Sequence, residues 1–538
     1  MKKQSSVRTI LFGVVLLIAF WAAWPLFTAG FLPTHDGEYH LIRFWEFEKM
    51  LGAGNFFPRW AVDLNSGYGV PLFNFHYPLP NYLGVIYHTL GFSLVDSFKL
   101  VLATGYLGAV IFCFSWLMRL FSPVAAALGT IVFAFIPYWF VDIYIRGSVG
   151  ETLAFAWVML ALLSLEKNWI KIFALSIGLL ILTHNILAMI FLPLVIGYLV
   201  LRRPKARSAV VWGIGLAAYF WLPAILEQKY VVGLTSVNFR DYFPQLDQLL
   251  IPSWGSGFSG TGLLGSEMSP QIGIVPLVVI ITSIIFVTRK SGDKLITLSR
   301  FFFLTVSGAI FLMLPFSRSI WEFIAPLAFI QYPWRLLSLL LPSTAFLTAY
   351  LATKIKYPWW GTALAILAVI LTLSYTRPVM YPPRADSYYL ARREFTDGTS
   401  SMGNTFSTRW TSWQKARAKQ KVEIIQGEAL VRAIKLKPLR YDFLVDAKSP
   451  SFARVNTLYY PGWQVSLNHQ PQTISYEDDG LIKFALPAGN SRVTVKFGET
   501  PLRCLADFIS LSCLFWFLGS TILNNTYARS HRHFANPK

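Results

Sequence analysis

The sequence predicts a polytopic α-helical membrane protein with a β-sandwich-like domain before its last helix. Three observations predict it. Of the 538 residues, 54% are hydrophobic and only 14% are charged, whereas soluble domains carry roughly 25% charged residues. Apolar runs of about 20 residues, long enough to cross a hydrocarbon core, recur along most of the chain. Between residues 377 and 502 these runs give way to short alternating segments separated by turns.

About twelve transmembrane helices are predicted from apolar length. The first begins after Lys2, Lys3 and Arg8, and basic residues mark cytoplasmic ends, so both termini are expected in the cytoplasm. Segment 79–92 is expected to lie at the outer interface, because a crossing there would move the later basic connections away from the side of the N-terminal lysines. The predicted spans are 9–30, 97–120, 123–141, 149–166, 169–184, 185–201, 208–226, 271–288, 297–316, 328–352, 357–376 and 503–523.

The composition also narrows the location and the partners. The formal net charge of +20 indicates basic cytoplasmic loops in a membrane protein, so no nucleic-acid partner is expected. The first apolar stretch is too long for the core of a typical signal peptide and lacks a convincing cleavage site, so it is expected to remain as a span. The chain is therefore expected to be retained in a membrane, and a plasma (inner) membrane location is predicted.

Four parts are expected along the chain. The turn at Pro461-Gly462-Trp463 and the alternating run 493–497 indicate strands in an extracytoplasmic β-rich domain. The predicted parts are a transmembrane domain at 1–376 (with the outer loop 31–96), the β-rich domain at 377–502, a final transmembrane helix at 503–523 and a basic cytoplasmic tail at 524–538.

The stretch after the first span carries the most distinctive polar residues. Asp36 and Glu38 flank Gly37, which permits a tight turn that could bring both carboxylates toward one pocket. Such carboxylates can take a proton from a hydroxyl or hold a divalent cation. Asp36 could equally cap the helix that follows it. The spacing alone leaves these readings open.

Several short motifs carry a resemblance that covers nearly the whole chain. They are Thr34-His35-Asp36-Gly37-Glu38-Tyr39-His40, Phe57-Pro58-Arg59-Trp60, Gly67-Tyr68-Gly69, Arg146-Gly147-Ser148-x-Gly150-Glu151, Thr183-His184-Asn185, Gln331-Tyr332-Pro333-Trp334-Arg335 and Pro461-Gly462-Trp463. Together they resemble the GT-C superfamily of polyprenyl-phosphate-sugar-dependent glycosyltransferases. The closer match is to the YfhO-like and "6-pyruvoyl-tetrahydropterin synthase-related" bacterial membrane proteins.

The resemblance implies a reaction and a set of roles. Asp36 would be the catalytic base with Glu38 assisting, and the donor would be a sugar on a polyprenyl phosphate. The acceptor would be a cell-envelope glycan, a glycolipid or a protein. No cofactor is implied with certainty, and a divalent cation remains possible.

A departing phosphate needs positive charge, preferably from a guanidinium group. Arg335 is the first choice and Arg146 the second, although Arg335 could snorkel to the interface and Arg146 could pair structurally with Glu151 or Asp142. The predicted outer-side arginines are Arg59, Arg146, Arg240, Arg318 and Arg335.

Further polar residues are expected around the same pocket. His184 could form a helix–helix hydrogen bond rather than line the pocket. The loop that holds Arg59 and Tyr68 could likewise pack on the β-rich domain rather than line the pocket. No HExxH-like spacing supports a metal site. The predicted pocket residues are His35, His40, Arg59, Tyr68, Glu151, His184 and Asn185.

Two other function classes fit the same sequence. A transporter or flippase of lipid-linked sugars would place ionisable residues near mid-bilayer and show a repeat, and no repeat is visible. A non-catalytic envelope scaffold would use the β-rich domain for binding and would make Asp36 and Glu38 replaceable.

Overall fold

The protein is mostly helical and ends in a β-rich domain followed by one long helix. The structure, a computed structural model, describes residues 2–534 except 234–236, 259–266, 290–291, 358, 397, 399–403, 412–413 and 415. Within that part, 7 helices are long and apolar enough to cross a membrane. They are Leu94–Leu117, Val149–Glu166, Asn185–Arg202, Ile296–Met313, Pro333–Lys354, Trp359–Thr376 and Pro501–Gly519.

Other apolar helices are bent or short. Pro123–Ala134 and Pro137–Arg146 form one pair bent by 45°, and Pro204–Leu216 and Ala218–Leu226 form another bent by 68°. Counting each pair as one span raises the number from 7 to 9. The polytopic helical class is confirmed, but twelve membrane crossings are not. The shorter apolar helices are Ser6–Ala22, Ile170–Thr183 and Ile274–Val287.

The first long loop is largely helical. A helix at Gly37–Gly52 follows Asp36, and we call it the Asp36 helix. A second helix, Leu79–Thr89, coincides with the segment predicted to lie at the interface. A short turn of helix at Leu72–Phe75 connects the two regions.

The β-rich domain contains two antiparallel sheets. One has three strands in the order β1-β4-β7, and the other has five in the order β2-β3-β8-β5-β6. The strands begin at Val422, whereas the described part of 377–421 contains short helices at Asp386–Leu390 and Arg393–Thr396. The strands are β1 Val422–Gln426, β2 Ala429–Lys437, β3 Arg440–Ala447, β4 Ser451–Leu458, β5 Trp463–Leu467, β6 Gln470–Gln472, β7 Leu481–Leu486 and β8 Gly489–Phe497.

The loop between the Asp36 helix and the helix Leu79–Thr89 belongs to the core of the β-rich domain. Trp60 is fully buried, and its ring centroid lies 5.6 Å from that of Trp463 and 5.6 Å from that of Phe497. The backbone N–H of Leu458 donates to the carbonyl of Tyr68 at 3.0 Å. The loop therefore packs on the β-rich domain, as one of the two sequence readings expected.

A buried polar junction joins the membrane helices, the loop and the β-rich domain. Its centre is Glu227, which is 2% exposed and accepts hydrogen bonds from Asn74 at 2.8 Å and Tyr460 at 2.9 Å. Arg503, near the start of the last helix, donates to the same carboxylate at 3.0 Å. Four distant parts of the chain therefore meet at one carboxylate.

Replacing Trp60 should show how strongly the loop and the β-rich domain stabilise each other. Trp60→Ala removes a large buried ring, and we expect a loss of about 3–5 kcal/mol. The matched control is Trp359→Ala, whose ring is 64% exposed and whose loss should be about 0.5 kcal/mol or less. Unfolding of the purified full chain, followed by circular dichroism, measures both. Equal stability of the two variants would contradict the shared core.

Candidate active site

A cavity of about 860 Å³ lies among the helices and the loops that lead to the β-rich domain. Part of the lining is apolar and includes Met189, Leu192 and Trp221. The lining also contains many polar and charged side chains. They include His35, Asp36, Arg43, His76, Arg146, His184, Asn185, Gln228, Gln331 and Arg335.

Asp36 is held in this cavity by its backbone. Its N–H donates to the carbonyl of Arg146 at 2.9 Å, and the N–H of His35 donates to Ile145 at 2.9 Å. A Cβ atom at Gly37 would lie 2.6 Å from Oγ1 of Thr34, so a larger residue there would force the Thr34 side chain to move. The backbone of His35 and Asp36 is therefore attached directly to the turn that carries Arg146.

The Asp36 side chain does not cap the helix that follows it. No side-chain capping hydrogen bond is formed. Among the residues that the structure describes, the carboxylate makes no hydrogen bond or ion pair. The capping alternative is therefore wrong, and the carboxylate faces the cavity without a protein partner in the described part of the chain.

The turn beneath Asp36 is π-helical and spans Val141–Arg146. It ends at Gly147, whose φ of 67° is unfavourable for other residues. A Cβ atom there would lie 2.2 Å from Oγ1 of Thr34, so this glycine lets the turn pack against the Asp36 stretch. Single π-helical turns are frequent at functional sites.

Glu151 is the buried anchor of the positive charges. Its Oε1 accepts from Nη2 of Arg146 at 2.7 Å and from Nε of Arg335 at 3.0 Å, and its Oε2 accepts from the Tyr138 hydroxyl at 3.0 Å. Arg146 also pairs with Asp142. Glu151 is fully buried, so it fixes both guanidinium groups from behind the cavity wall.

Arg335 is fixed by further contacts. Its Nη1 donates to the Ile330 carbonyl and to Oε1 of Gln331, each at 2.9 Å. Gln331 has a φ of 68°, which is rare for a residue other than glycine. The Arg335 side chain is 7% exposed. The snorkelling alternative is therefore wrong for Arg335, while the structural pairing expected for Arg146 coexists with its place on the cavity wall.

Arg43 and His76 are site residues that the sequence reasoning missed. Nη1 of Arg43 lies 3.0 Å from Nε2 of His76, and both residues line the cavity. A guanidinium group can only donate, so Nε2 of His76 is the acceptor. Burial lowers the pKa of His76 well below its usual value, which keeps the ring neutral. The seven-residue spacing from Asp36 to Arg43 could have found Arg43, because it corresponds to one helical face.

Three other predicted pocket residues line the cavity. Nε2 of His35 lies 2.8 Å from the carbonyl of Ser256. His184 accepts the backbone N–H of Leu187 at 3.1 Å through Nδ1, so it caps the helix that begins at Asn185. The structure therefore brings His35, His184 and Asn185 together with Asp36, Arg146 and Arg335.

Glu38 does not share the cavity. Its Oε1 accepts from Arg392 at 2.7 Å, which directs it toward the segment that precedes the β-rich domain. His40 is 1% exposed and stacks beside Phe98 with 6.0 Å between centroids. Glu38 was predicted to assist Asp36, and His40 was predicted to line the pocket. Neither residue lines the cavity.

Two further predicted residues lie at the domain junction. Arg59 donates to the Tyr219 carbonyl at 2.6 Å and to Asp507 at 2.9 Å, so it ties the loop to the last helix. Tyr68 packs on the β-rich domain through its backbone. Neither lines the cavity. Glu151 lies behind the wall and acts through the two arginines.

A divalent cation finds no cluster of ligands here. Among the described residues, no group of three or more His, Cys, Asp and Glu side chains could hold a metal ion. Glu38, the predicted partner of Asp36, forms an ion pair with Arg392 instead.

Comparisons with known proteins give partial similarity. No protein-family model matches the chain, so the predicted relation to the YfhO-like group is not confirmed. An uncharacterized protein of Lactococcus lactis subsp. cremoris is 25% identical in an alignment of 262 residues, and the match covers 43% of this chain and 41% of that protein. The chain therefore matches less than half the length of this curated relative.

Two solved structures are similar over larger parts of the chain. One is ArnT from Cupriavidus metallidurans bound to undecaprenyl phosphate, with 16% identity, a TM-score of 0.41 and coverage of 68% of this chain and 63% of that chain. The other is the Archaeoglobus fulgidus oligosaccharyltransferase in the apo form, with 14% identity, a TM-score of 0.40 and coverage of 70% and 57%. Both similarities are low, so the function is inferred from the residues of the cavity itself.

Removing the charge of Glu151 should destabilise the site strongly. Glu151→Gln leaves two buried guanidinium groups without their shared carboxylate, and we expect a loss of about 3–5 kcal/mol. Glu322→Gln is the matched control, because Glu322 also pairs with two arginines, Arg240 and Arg318, but is 40% exposed. Because this ion-pair cluster is exposed to solvent, that change should leave the thermal stability nearly unchanged. Thermal unfolding of both variants compares them, and equal midpoints would contradict the anchoring role.

The Asp36 helix also carries a group that should make stability depend on pH. Burial and the nearby Asp63 raise the pKa of Glu46 from 4.5 to about 8. The folded state therefore binds this proton more tightly than the unfolded chain. The stabilising contribution is complete below about pH 4.5 and is lost as the pH rises through about 8.

Glu46→Gln should remove that pH dependence. The amide cannot ionise, so the variant should lose less thermal stability than the wild type between about pH 5 and about pH 9. Glu428→Gln is the control, because its side chain is 74% exposed. Melting temperatures across this range provide the measurement. Parallel curves for wild type and Glu46→Gln would show that Glu46 does not hold the proton.

Proposed function

We propose that the cavity is the active site of a membrane glycosyltransferase that moves a sugar from a polyprenyl phosphate to an acceptor hydroxyl. One observation carries the proposal: the carboxylate of Asp36, which has no partner among the described residues, lines the same cavity as Arg146 and Arg335. Such a reaction needs a base for the acceptor and positive charge for the leaving phosphate. The cavity supplies both kinds of group.

The two arginines suit a phosphate. Guanidinium groups present rigid N–H donors that match phosphate oxygens better than an ammonium group does. Glu151 already fixes Arg146 and Arg335 in place, so little reorganisation is required when charge develops on the leaving group. Their partial neutralisation by Glu151 also lowers the cost of keeping both charges buried while no substrate is bound.

The apolar lining of the cavity suits the lipid part of the donor. It includes Met189, Leu192 and Trp221, and another lining residue, Ile225, is 62% exposed. A site with an apolar wall and a few convergent polar groups is typical of an amphipathic ligand. A polyprenyl chain could lie along this wall with its phosphate at the arginines.

The proposed step is a single displacement with inversion. The acceptor oxygen attacks the anomeric carbon of the sugar and forms the new glycosidic bond. The bond between that carbon and the phosphate oxygen breaks, and its electron pair leaves with the polyprenyl phosphate beside Arg146 and Arg335. Asp36 takes the acceptor proton. We place the reaction on the outer face of the plasma membrane, with a cell-envelope glycan, a glycolipid or a protein as acceptor.

The carboxylate favours this reaction over transport or scaffolding. A flippase would bind the same lipid phosphate, but a carboxylate beside the phosphate would weaken that binding by repulsion of like charges. A scaffold gains nothing from a carboxylate held in a cavity without a partner in the described part of the chain. A catalytic base must be accessible and must lie near the leaving group. This role explains why Asp36 lies in the same cavity as the arginines and why its carboxylate has no partner in the described part of the chain.

Asp36→Asn tests the proposal. The amide cannot take the acceptor proton, so we expect transfer to fall by about 10²–10⁴-fold, whereas binding of undecaprenyl phosphate should persist or improve. The assay supplies membranes that contain the variant with labelled undecaprenyl-phosphate hexoses and follows label in the acceptor fraction. Asp478→Asn, at an exposed carboxylate in the β-rich domain, is the control. Full transfer by a well-expressed Asp36→Asn protein would remove Asp36 from the role of base.

A further inference from the structure

The chain that follows the apolar helix Trp359–Thr376 carries exposed arginines that the proposed active site does not use. It includes residues 377–388, which we call the boundary segment. Three prolines restrict its backbone, and it enters a short helix only at Asp386–Leu390. It contains no carboxylate before Asp386. The boundary segment therefore begins as an uninterrupted basic and apolar stretch.

Two sets of contacts hold the boundary segment at the ends of membrane helices. Phe31, which follows the first apolar helix, and Tyr381 exchange backbone hydrogen bonds of 3.1 Å and 2.8 Å. The carboxylate of Asp386 accepts from the backbone N–H of Leu94 at 3.0 Å. Leu94 is the first residue of the apolar helix Leu94–Leu117. Since spans begin and end at the membrane surface, the boundary segment lies along that surface.

The exposed side chains of the boundary segment are apolar or basic. Val379 is 70% exposed and Tyr381 is 53% exposed, and Arg377 and Arg384 are exposed as well. In the described part of the chain, neither of these guanidinium groups forms an ion pair or a hydrogen bond. Aromatic rings and long basic side chains are enriched where a protein meets lipid headgroups. The composition of this surface therefore matches the headgroup region of a bilayer.

The apolar part of the surface continues on the neighbouring interfacial helix and the turn that follows it. Ile86, Leu90 and Phe92 are all exposed there. Nε2 of His88 lies 3.6 Å from Oδ2 of Asp386, so this helix lies beside the boundary segment. A soluble anion would neutralise the arginines but leave the apolar groups in water. An occupant that carries both a phosphate group and hydrocarbon satisfies both parts of the surface.

Arg384 is already oriented for a phosphate group. Its Cζ atom lies 4.0 Å from the centroid of the Tyr388 ring, a distance at which a cation–π interaction holds the guanidinium group. The ring accepts no conventional hydrogen bond from it, so its N–H donors remain available. A guanidinium group presents those donors in a rigid fork that matches phosphate oxygens. The contact with Tyr388 therefore lowers the entropy cost of binding a headgroup.

We propose that the boundary segment binds an anionic phospholipid of the phosphatidylglycerol class. Arg377 and Arg384 contact its phosphate, while Val379 and Tyr381 contact its acyl chains. None of residues 377–388 lines the cavity, so this inference does not rest on the proposed glycosyl transfer. It adds a second lipid-phosphate site, which is distinct from Arg146 and Arg335.

The lipid site is connected to the Asp36 helix. Nδ1 of His88 lies 2.6 Å from Oε2 of Glu48, which belongs to that helix, and Nε2 of the same ring faces Asp386 of the boundary segment. A bound headgroup therefore fixes the level at which the Asp36 helix meets the membrane surface.

Native mass spectrometry of the purified full chain in a neutral detergent tests the proposal. Titration with phosphatidylglycerol counts the bound lipids and gives an apparent affinity for each, and phosphatidylcholine is the neutral control. We expect the first phosphatidylglycerol to bind about tenfold or more tightly than phosphatidylcholine, because two arginines meet its charge. Saturating undecaprenyl phosphate, which has a different mass, should leave that phosphatidylglycerol in place, since the two lipids occupy different sites.

The variants should assign the preference to the boundary segment. Arg377→Gln combined with Arg384→Gln should weaken phosphatidylglycerol by about tenfold or more and leave phosphatidylcholine unchanged. The double lysine variant at the same positions keeps the charge, so its affinity should stay within about threefold of the wild type. Arg492→Gln combined with Lys496→Gln removes the same charge from exposed positions of strand β8 and should change neither affinity.

Three results would overturn the proposal. The first is equal affinity of the wild type for the two phospholipids. The second is an unchanged preference for phosphatidylglycerol in the double glutamine variant. The third is displacement of phosphatidylglycerol by undecaprenyl phosphate, which would place both lipids in the cavity. If the double glutamine variant does not fold, the competition in the wild-type protein decides between two sites and one.

Discussion

The shared carboxylate of Glu151 is the interaction on which the geometry of the cavity depends. It joins Arg146 to Arg335, which is 184 residues away from Glu151 in the chain. Burying three charges costs several kcal/mol for each ion before their mutual attraction is counted. An apolar cluster of similar volume could hold the same helices together. The charged arrangement therefore indicates a requirement for fixed guanidinium groups at the cavity wall.

The same turn that presents Arg146 also positions Asp36. Two backbone hydrogen bonds, from His35 and Asp36 to Ile145 and Arg146, register the proposed base against the proposed phosphate site. Because the link is through the backbone, the base and the phosphate site cannot shift independently. Gly147 makes this close approach possible. Preorganisation of this kind reduces the reorganisation needed during reaction.

The fold was largely predictable because its signals are local. Apolar length locates helices, and alternation with turn residues locates strands such as the one that ends at Phe497. The number of crossings was not predictable, because apolar segments can bend, as at Pro137, or stay short. Asp36, Arg146 and Arg335 were expected in one pocket and do line one cavity, while their roles stay proposals. Arg59 was predicted to line the pocket but lies at the domain junction. Its partner Asp507 is 448 residues away in the chain, so no local sequence pattern indicates the pair.

The β-rich domain completes the cavity rather than merely adjoining it. Glu227 binds Arg503 of the last helix and Tyr460 of the β-rich domain, and it also binds Asn74, two residues before His76. Gln228, the next residue after Glu227, lines the cavity. The wall that carries His76 is therefore fixed through contacts that form only when the β-rich domain and the last helix are in place. Since Nε2 of His76 accepts a hydrogen bond from Arg43, the position of Arg43 in the cavity depends on this junction, whereas the Glu151 cluster is built from Arg146, Asp142, Tyr138 and Arg335 on helices outside it.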